Sequence, residues 1–114
     1  MQFTNTINKV DLAKKEGAQV LTGGQRSDKF EKGYFYEPTV FDQVTPGMDI
    51  VTEESFSPVI PIQRIQSMEE AIQMANSTKY GLGCTIFTRD IERALTAADN
   101  IKAGTFCINN PLME

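Results

Sequence analysis

From Pro58 onward the chain repeats one device: a short β-branched segment, an amphipathic stretch with its own start and stop signals, then another β-branched segment. Val59-Ile60-Pro61-Ile62 leads to Ser67-Met68-Glu69-Glu70, a capping box in which Ser67 and Glu70 can satisfy each other's free amides. Met68, Ala71, Ile72 and Ala75 then share one helical face that ends near Asn76. Thr78-Lys79-Tyr80-Gly81 turns into a strand from Cys84 to Phe87. A second helix starts near Asp90, with Ile91, Ala94, Leu95, Ala98 and Ile101 as its apolar stripe. It stops before Gly104 with Lys102 in its last turn. The last strand runs from Thr105 to Asn109. Three strands joined by two helices form a βαβαβ unit, because parallel strands need helical crossovers. The fold class is therefore α/β. Parallel sheets are normally buried on both faces, so three strands form a partial parallel sheet that expects more strands.

The first half is less regular. Ile7, Val10 and Ala13 define a helix from Asn5 to Glu16, with Lys14 and Lys15 in its last turn and Gly17 at the capping position. Gln19-Val20-Leu21-Thr22 reads as a strand that stops at Gly23-Gly24, and a polar loop follows to Lys32. Pro38 breaks the aromatic and β-branched run from Tyr34 to Val44, which predicts an extended or edge strand near Thr39-Val40-Phe41. A helical turn is expected around Met48 to Glu54. Gly81-Leu82-Gly83 precedes a strand instead of opening a helix, so its glycines read as turn chemistry and not as a phosphate loop. At 114 residues the chain is expected to be a single domain, 1–114, able to bury a core without disulfides or metal.

Composition removes several function classes. With a net charge of −4 and no basic run longer than Lys14-Lys15, there is no electrostatic footprint for nucleic acid or anionic lipid. No apolar run is long enough to span a bilayer, and the first residues lack the order of a signal peptide, so a cytoplasmic location is expected. The chain has no histidine, which excludes a Ser-His-Asp or Cys-His pair from its own residues. Two cysteines without imidazole are too few for a structural zinc site, and no metal ligands are assigned. Cys84 and Cys107 sit in apolar segments with no neighbouring cation, where a thiol behaves as a small hydrophobe.

The segment Glu53-Glu54-Ser55-Phe56-Ser57-Pro58-Val59 carries the candidate chemistry. Pro58 biases Ser57 towards extended backbone, in which side chains two residues apart point the same way, so Glu54 and Phe56 are expected to face one target. A carboxylate accepting two hydrogen bonds suits a vicinal diol such as a ribose, and a ring beside it suits the flat face of a nucleobase or nicotinamide. The plainer alternative is a solvated glutamate pair followed by a core phenylalanine.

In this order, the blocks resemble the NAD(P)-dependent aldehyde dehydrogenase family over nearly the whole chain. Ala13-Lys14-Lys15-Glu16-Gly17-Ala18 with Thr22-Gly23-Gly24, and then Gly33-Tyr34-Phe35-Tyr36-Glu37-Pro38-Thr39-Val40, are similar to stretches that follow the family's catalytic loop. Glu53 to Val59 is similar to its Glu-Glu-x-Phe-Gly-Pro-Val signature, with Ser57 where the family prefers glycine. Asn76 with Tyr80-Gly81-Leu82, Phe87-Thr88-Arg89-Asp90, Ala103-Gly104-Thr105 and Ile108-Asn109 resemble the later blocks.

The resemblance implies a fragment of the aldehyde dehydrogenase catalytic domain. The parent would be an oxidoreductase that oxidises an aldehyde to a carboxylic acid with NAD or NADP. It further implies that Glu54 holds the nicotinamide ribose hydroxyls, that Phe56 contacts the nicotinamide end, and that Asn109 and Asn110 lie near the substrate funnel. The family's nucleophilic cysteine, glutamate base and dinucleotide fold have no counterpart in this sequence, and neither Cys84 nor Cys107 stands in a Gly-Gln-x-Cys setting. No catalytic residue is therefore assigned, and the chain alone is expected to be inactive. Expected partners are the aldehyde and the dinucleotide, with neither nucleic acid nor membrane, in a homo-oligomer. The alternative is an inactive truncated module that associates through its incomplete sheet edge.

Overall fold

The computed structural model describes residues 2–111, which fall into two compact units that meet in sequence between Arg64 and Ile65. In chain order the first holds α1 (Gln2–Lys15), β1 (Gln19–Thr22), β2 (Thr39–Asp42), α2 (Asp49–Thr52) and β3 (Val59–Pro61). The second holds α3 (Met68–Ala75), β4 (Gly83–Ile86), α4 (Ile91–Asn100) and β5 (Thr105–Ile108). No helix among the described residues is long and apolar enough to cross a membrane.

Helix α1 ends as its sequence dictates. Gly17 takes φ +102, the Ala18 amide reaches back to the Ala13 carbonyl at 2.9 Å, and the Gly17 amide reaches Lys14 at 3.2 Å. These two bonds are the pair of a Schellman cap. The helix starts earlier than the expected Asn5 and buries Thr6, Val10 and Ala13, so a hydroxyl joins the apolar face.

In the first sheet β2 lies between β1, which it pairs with antiparallel, and β3, which it pairs with in parallel. The expected extended or edge strand at Thr39-Val40-Phe41 is extended, but its edge placement is corrected: it is the central strand. The reason is where the prolines fall. Pro38 stands one residue outside the ladder, and the Thr39 amide behind it donates to Pro58 O at 2.8 Å. Only Pro61 lies inside a strand, and that strand, β3, is at the sheet edge where a missing amide is tolerated.

Phe41 is fully buried among Val10, Ala13, Ala18, Val44, Met48 and Ile50. Burying such a ring contributes about 1.5–3 kcal/mol. Thr39, also buried, donates to Glu37 O at 2.8 Å and accepts from the Gly24 amide at 2.8 Å. That bond draws the Gly23-Gly24 turn against β2. A Cβ on Gly23 would lie 2.3 Å from Pro38 O, and Gly23 has φ +68.

The second unit follows the expected order of elements, and its pairing adds a distinction. The β3-α3-β4-α4-β5 succession is present, but β3 belongs to the first sheet through β2, while β4 and β5 form a two-stranded parallel sheet. One βαβ unit, β4-α4-β5, therefore stands where three strands were expected to share a sheet. Ser67 Oγ accepts from the Glu70 amide at 3.1 Å, and Glu70 Oε2 accepts from Gln66 N at 2.6 Å, one residue outside the expected box. Asp90 caps α4 by accepting from the Glu92 and Arg93 amides at 3.0 and 3.1 Å. Asn76 donates to Asn100 O at 2.7 Å and accepts from Lys102 N at 2.8 Å, closing the far end of α4. Gly81 accepts from the Gly104 amide at 2.8 Å, and a Cβ on it would lie 2.9 Å from Lys102 O. The glycine there serves close backbone approach.

The α4 stripe is only partly covered. Ala94 and Ala97 are buried, whereas Ile91 and Leu95 are exposed. A sheet of two strands does not supply enough facing surface to bury a helix of this kind.

Two outcomes are expected. Gly23→Ala should lower unfolding stability by at least about 2 kcal/mol, through backbone clash added to positive-φ strain, as read by urea titration. Asp42, with its side chain only 8% exposed, is bonded first by the Arg64 guanidinium and then by the Gln43 amide, which hold its carboxyl below the ordinary 3.8. Its folded pKa is depressed, so its stabilisation is present above about pH 4 and lost as pH falls through the lower folded value. Asp42→Asn should therefore flatten the acid limb of a stability–pH curve below pH 4.

Candidate functional site

The signature segment leaves α2 and enters β3 as a turn. Glu53 closes α2 in extended geometry, at φ −118 and ψ 133, but Phe56 takes φ 45. The extended run expected to aim Glu54 and Phe56 together is thus interrupted at the ring itself, so strand alternation does not set the ring's direction. Left-handed backbone is uncommon for a bulky residue and costs on the order of 1–2 kcal/mol. Ser57, where glycine is usual in the family, is not the strained position; the positive φ falls one residue earlier.

Both candidate side chains are at the surface. The Phe56 ring is 78% exposed, so the alternative of a core phenylalanine does not describe it within this chain. Glu54 is exposed as well. The ring borders a groove of about 340 Å³ lined by Gln2, Phe3, Thr6, Tyr34, Phe35, Tyr36 and Pro58. Phe3 meets Tyr34 and Tyr36 edge-on at centroid distances of 5.7 and 6.1 Å, and Arg26 lies over its face at 5.6 Å. Burial, then the Asp11 carboxylate, push the Tyr36 phenol above its ordinary value. These aromatic neighbours were not singled out from the sequence. The available signal was the run Tyr34-Phe35-Tyr36 together with Phe3 at the start of an amphipathic helix.

Other candidates are placed plainly by their contacts. Asn109 takes φ 53, accepts from the Thr88 amide and donates to the Thr88 carbonyl, each at 2.8 Å. Its amide group is therefore spent on bracing the end of β5 to the residues after β4. Asn110 is exposed beside it. Cys84 and Cys107 are free, half-buried residues of β4 and β5. Burial raises the Cys84 thiol above its ordinary 9.0, opposite to what a nucleophile needs.

A wider groove of about 690 Å³ opens in the second unit between Ser67, Glu69, Asp90, Glu92 and Arg93. Its Ser67 and Asp90 side chains are occupied as helix caps, and Arg93 pairs with Asp90. Glu69 is held below its ordinary value by its own backbone amide, then by Ser67 and Arg93. Size alone does not make it a site.

Residues 1–114 match the aldehyde dehydrogenase family along their full length. The chain belongs to this family. It is 43% identical over 108 residues to the peroxisomal aminoaldehyde dehydrogenase 1 of Pisum sativum, covering 95% of this chain and 22% of that protein. It is 44% identical over 108 residues to retinaldehyde dehydrogenase 3 of Homo sapiens, covering 95% of this chain and 21% of that one. The fold superposes with a TM-score of 0.94 on the betaine aldehyde dehydrogenase of Staphylococcus aureus solved in complex with NAD+. That match has 37% identity and covers 99% of this chain and 23% of that structure. The chain thus spans less than a quarter of the length of these relatives.

An exposed ring in left-handed backbone leads to a specific expectation. Phe56→Gly should leave stability unchanged or raise it by up to about 1 kcal/mol, because little packing is lost and the strain is relieved. Thermal unfolding of the two proteins checks this.

Proposed function

We propose that this chain is the portion of an aldehyde-oxidising, NAD(P)-dependent enzyme that meets the nicotinamide end of the cofactor, with Phe56 and Glu54 as its contacts. The observation that carries the reading is the Phe56 ring, 78% exposed and held at φ 45. Strained backbone clusters at ligand-binding sites, and an open aromatic face suits a flat ligand. NAD+ in the solved Staphylococcus aureus relative supports the choice of dinucleotide.

The residues present fit such a cofactor in kind. The Glu54 carboxylate can accept two hydrogen bonds from the hydroxyls of a ribose, and the Phe56 ring can lie against a flat heteroaromatic face. When bound, the dinucleotide supplies hydride acceptance. The chain's own part is to orient that end and exclude water from one side of it. The nucleophile belongs elsewhere in the parent, since Cys84 and Cys107 are half-buried in β4 and β5 and Cys84 is driven towards the neutral thiol. On this reading the chain does not turn over alone, and its 114 residues form part of one catalytic domain. Leu82, Phe87, Ile91 and Leu95, apolar and exposed, support that last point. The substrate of the parent is an aldehyde, and Asn110 is the better placed of the two asparagines to reach it, because the Asn109 amide is engaged by Thr88.

Titration of NAD+ against the chain tests the reading. Phe56→Ala and Glu54→Gln should each weaken binding about tenfold, the loss expected for an aromatic contact or a charge-assisted hydrogen bond. Equal affinities for wild type and both variants would end the proposal.

A further inference from the structure

The turn that carries Phe56 is fastened from outside its own sequence, by the first turns of α1. The Gln2 carboxamide nitrogen donates to Ser55 O at 2.9 Å and to Phe56 O at 2.8 Å, which uses both of its protons. Ser57 Oγ lies 2.8 Å from Thr6 Oγ1 and 2.8 Å from Ser55 O, and Thr6 Oγ1 lies 3.1 Å from Gln2 O. Two hydroxyl protons cannot serve three contacts at once. Thr6 can donate to Ser57, which donates to Ser55 O; Ser57 can donate to Thr6, which donates to Gln2 O; or each hydroxyl can donate to its own carbonyl, Thr6 to Gln2 O and Ser57 to Ser55 O. The Thr6–Ser57 bond exists in the first two arrangements, and the 2.8 Å oxygen–oxygen separation favours them. Thr6 is only 3% exposed, so water is a poor substitute for that partner.

We propose that Gln2 and Ser57 are positioning residues for Phe56: together with Thr6 they clamp the 55–57 turn onto α1 and hold the ring in its left-handed pose. The proposal rests on Phe56 being a dinucleotide contact, and it adds that the contact is controlled from a helix more than fifty residues away in sequence. A phenylalanine persists at positive φ only where its surroundings over-determine it. Here the determinants are carbonyl oxygens 55 and 56, both captured by one side chain. The tight turn that follows, Val59 N to Ser57 O at 2.7 Å, lies beyond the strained residue and leaves its φ free.

The test uses the full chain with Gln2→Ala, Ser57→Ala and the hydroxyl-retaining Ser57→Thr, read by NMR and by NAD+ titration. The intraresidue amide–Hα contact and coupling of Phe56 report its φ without any ligand. Gln2→Ala and Ser57→Ala should each move these signals away from the left-handed pattern, leave α1 helical and weaken NAD+ binding about threefold to tenfold, the range of one ordinary hydrogen bond. Ser57→Thr should retain both the signals and the affinity. In a Phe56→Ala background neither change should weaken binding further, because the clamp acts only through the ring. Gln2 is exposed, so Gln2→Ala keeps a folded chain in which the coupling can be read. Unchanged Phe56 signals in the Gln2→Ala, Ser57→Ala double variant would overturn the proposal, as would fully additive losses in the Phe56→Ala background. If wild type and Phe56→Ala bind NAD+ equally, the dinucleotide reading fails, and the Phe56 coupling alone decides whether the clamp exists.

Discussion

The first unit depends on the burial of β2, a four-residue strand with its two neighbours hydrogen-bonded to it in opposite senses. Phe41 gives that strand its place under α1, and Thr39 ties it to the glycine turn after β1. The same strand fixes β3, through Thr39 N to Pro58 O and Ile62 N to Phe41 O, each at 2.8 Å. Because β3 begins directly after Pro58, the signature turn is anchored on one side by this ladder and on the other by α1. A short buried strand thus sets where an exposed ring can stand.

Much of this was legible from local rules, and the failures have particular causes. Gly17, Ser67 and Asp90 act at the helix ends their residue types announce, since capping is a local contest among a few hydrogen bonds. The central position of β2 was hidden because Pro38 reads as a breaker, yet it sits just outside the ladder. The early start of α1 was hidden because Asn5 looks like a cap, whereas Gln2-Phe3-Thr4 carries no start signal. That error concealed Gln2, whose role comes from a contact across more than fifty residues that no pattern within α1 could disclose. Phe56 was singled out by its residue type and setting, but its backbone was not foreseen, because nothing about phenylalanine favours φ 45.

The second unit shows why family and activity differ in legibility. Its caps, glycine approaches and asparagine braces are intrinsic to the segment, so they appear in full. Its apolar surface is not satisfied within the segment: Leu82 is 92% exposed, and the Ile91 and Leu95 positions of α4 are uncovered. Such a pattern is what a chain spanning 22% of its relatives should display, because the faces are written for a larger layer. Family membership rests on the match along residues 1–114. No such match selects a substrate: an aminoaldehyde dehydrogenase and a retinaldehyde dehydrogenase match this chain almost equally, at 43% and 44% identity.

Strain at Phe56 has a consequence for how the turn can vary. Glycine at 56 would accept the backbone and discard the ring, while a bulky residue keeps a surface but needs an external hold. Retaining phenylalanine therefore requires compensation of the order of 1–2 kcal/mol from elsewhere. The two bonds from Gln2 and the Thr6–Ser57 pair are enough to offset it when each contributes an ordinary net amount of about 1 kcal/mol. The serine at 57 then makes physical sense, since it supplies an oxygen that glycine lacks and occupies a position whose backbone does not need glycine. A turn balanced in this way responds to the helix that holds it, so the first two turns of α1 belong with the candidate site although none of their residues was singled out for chemistry.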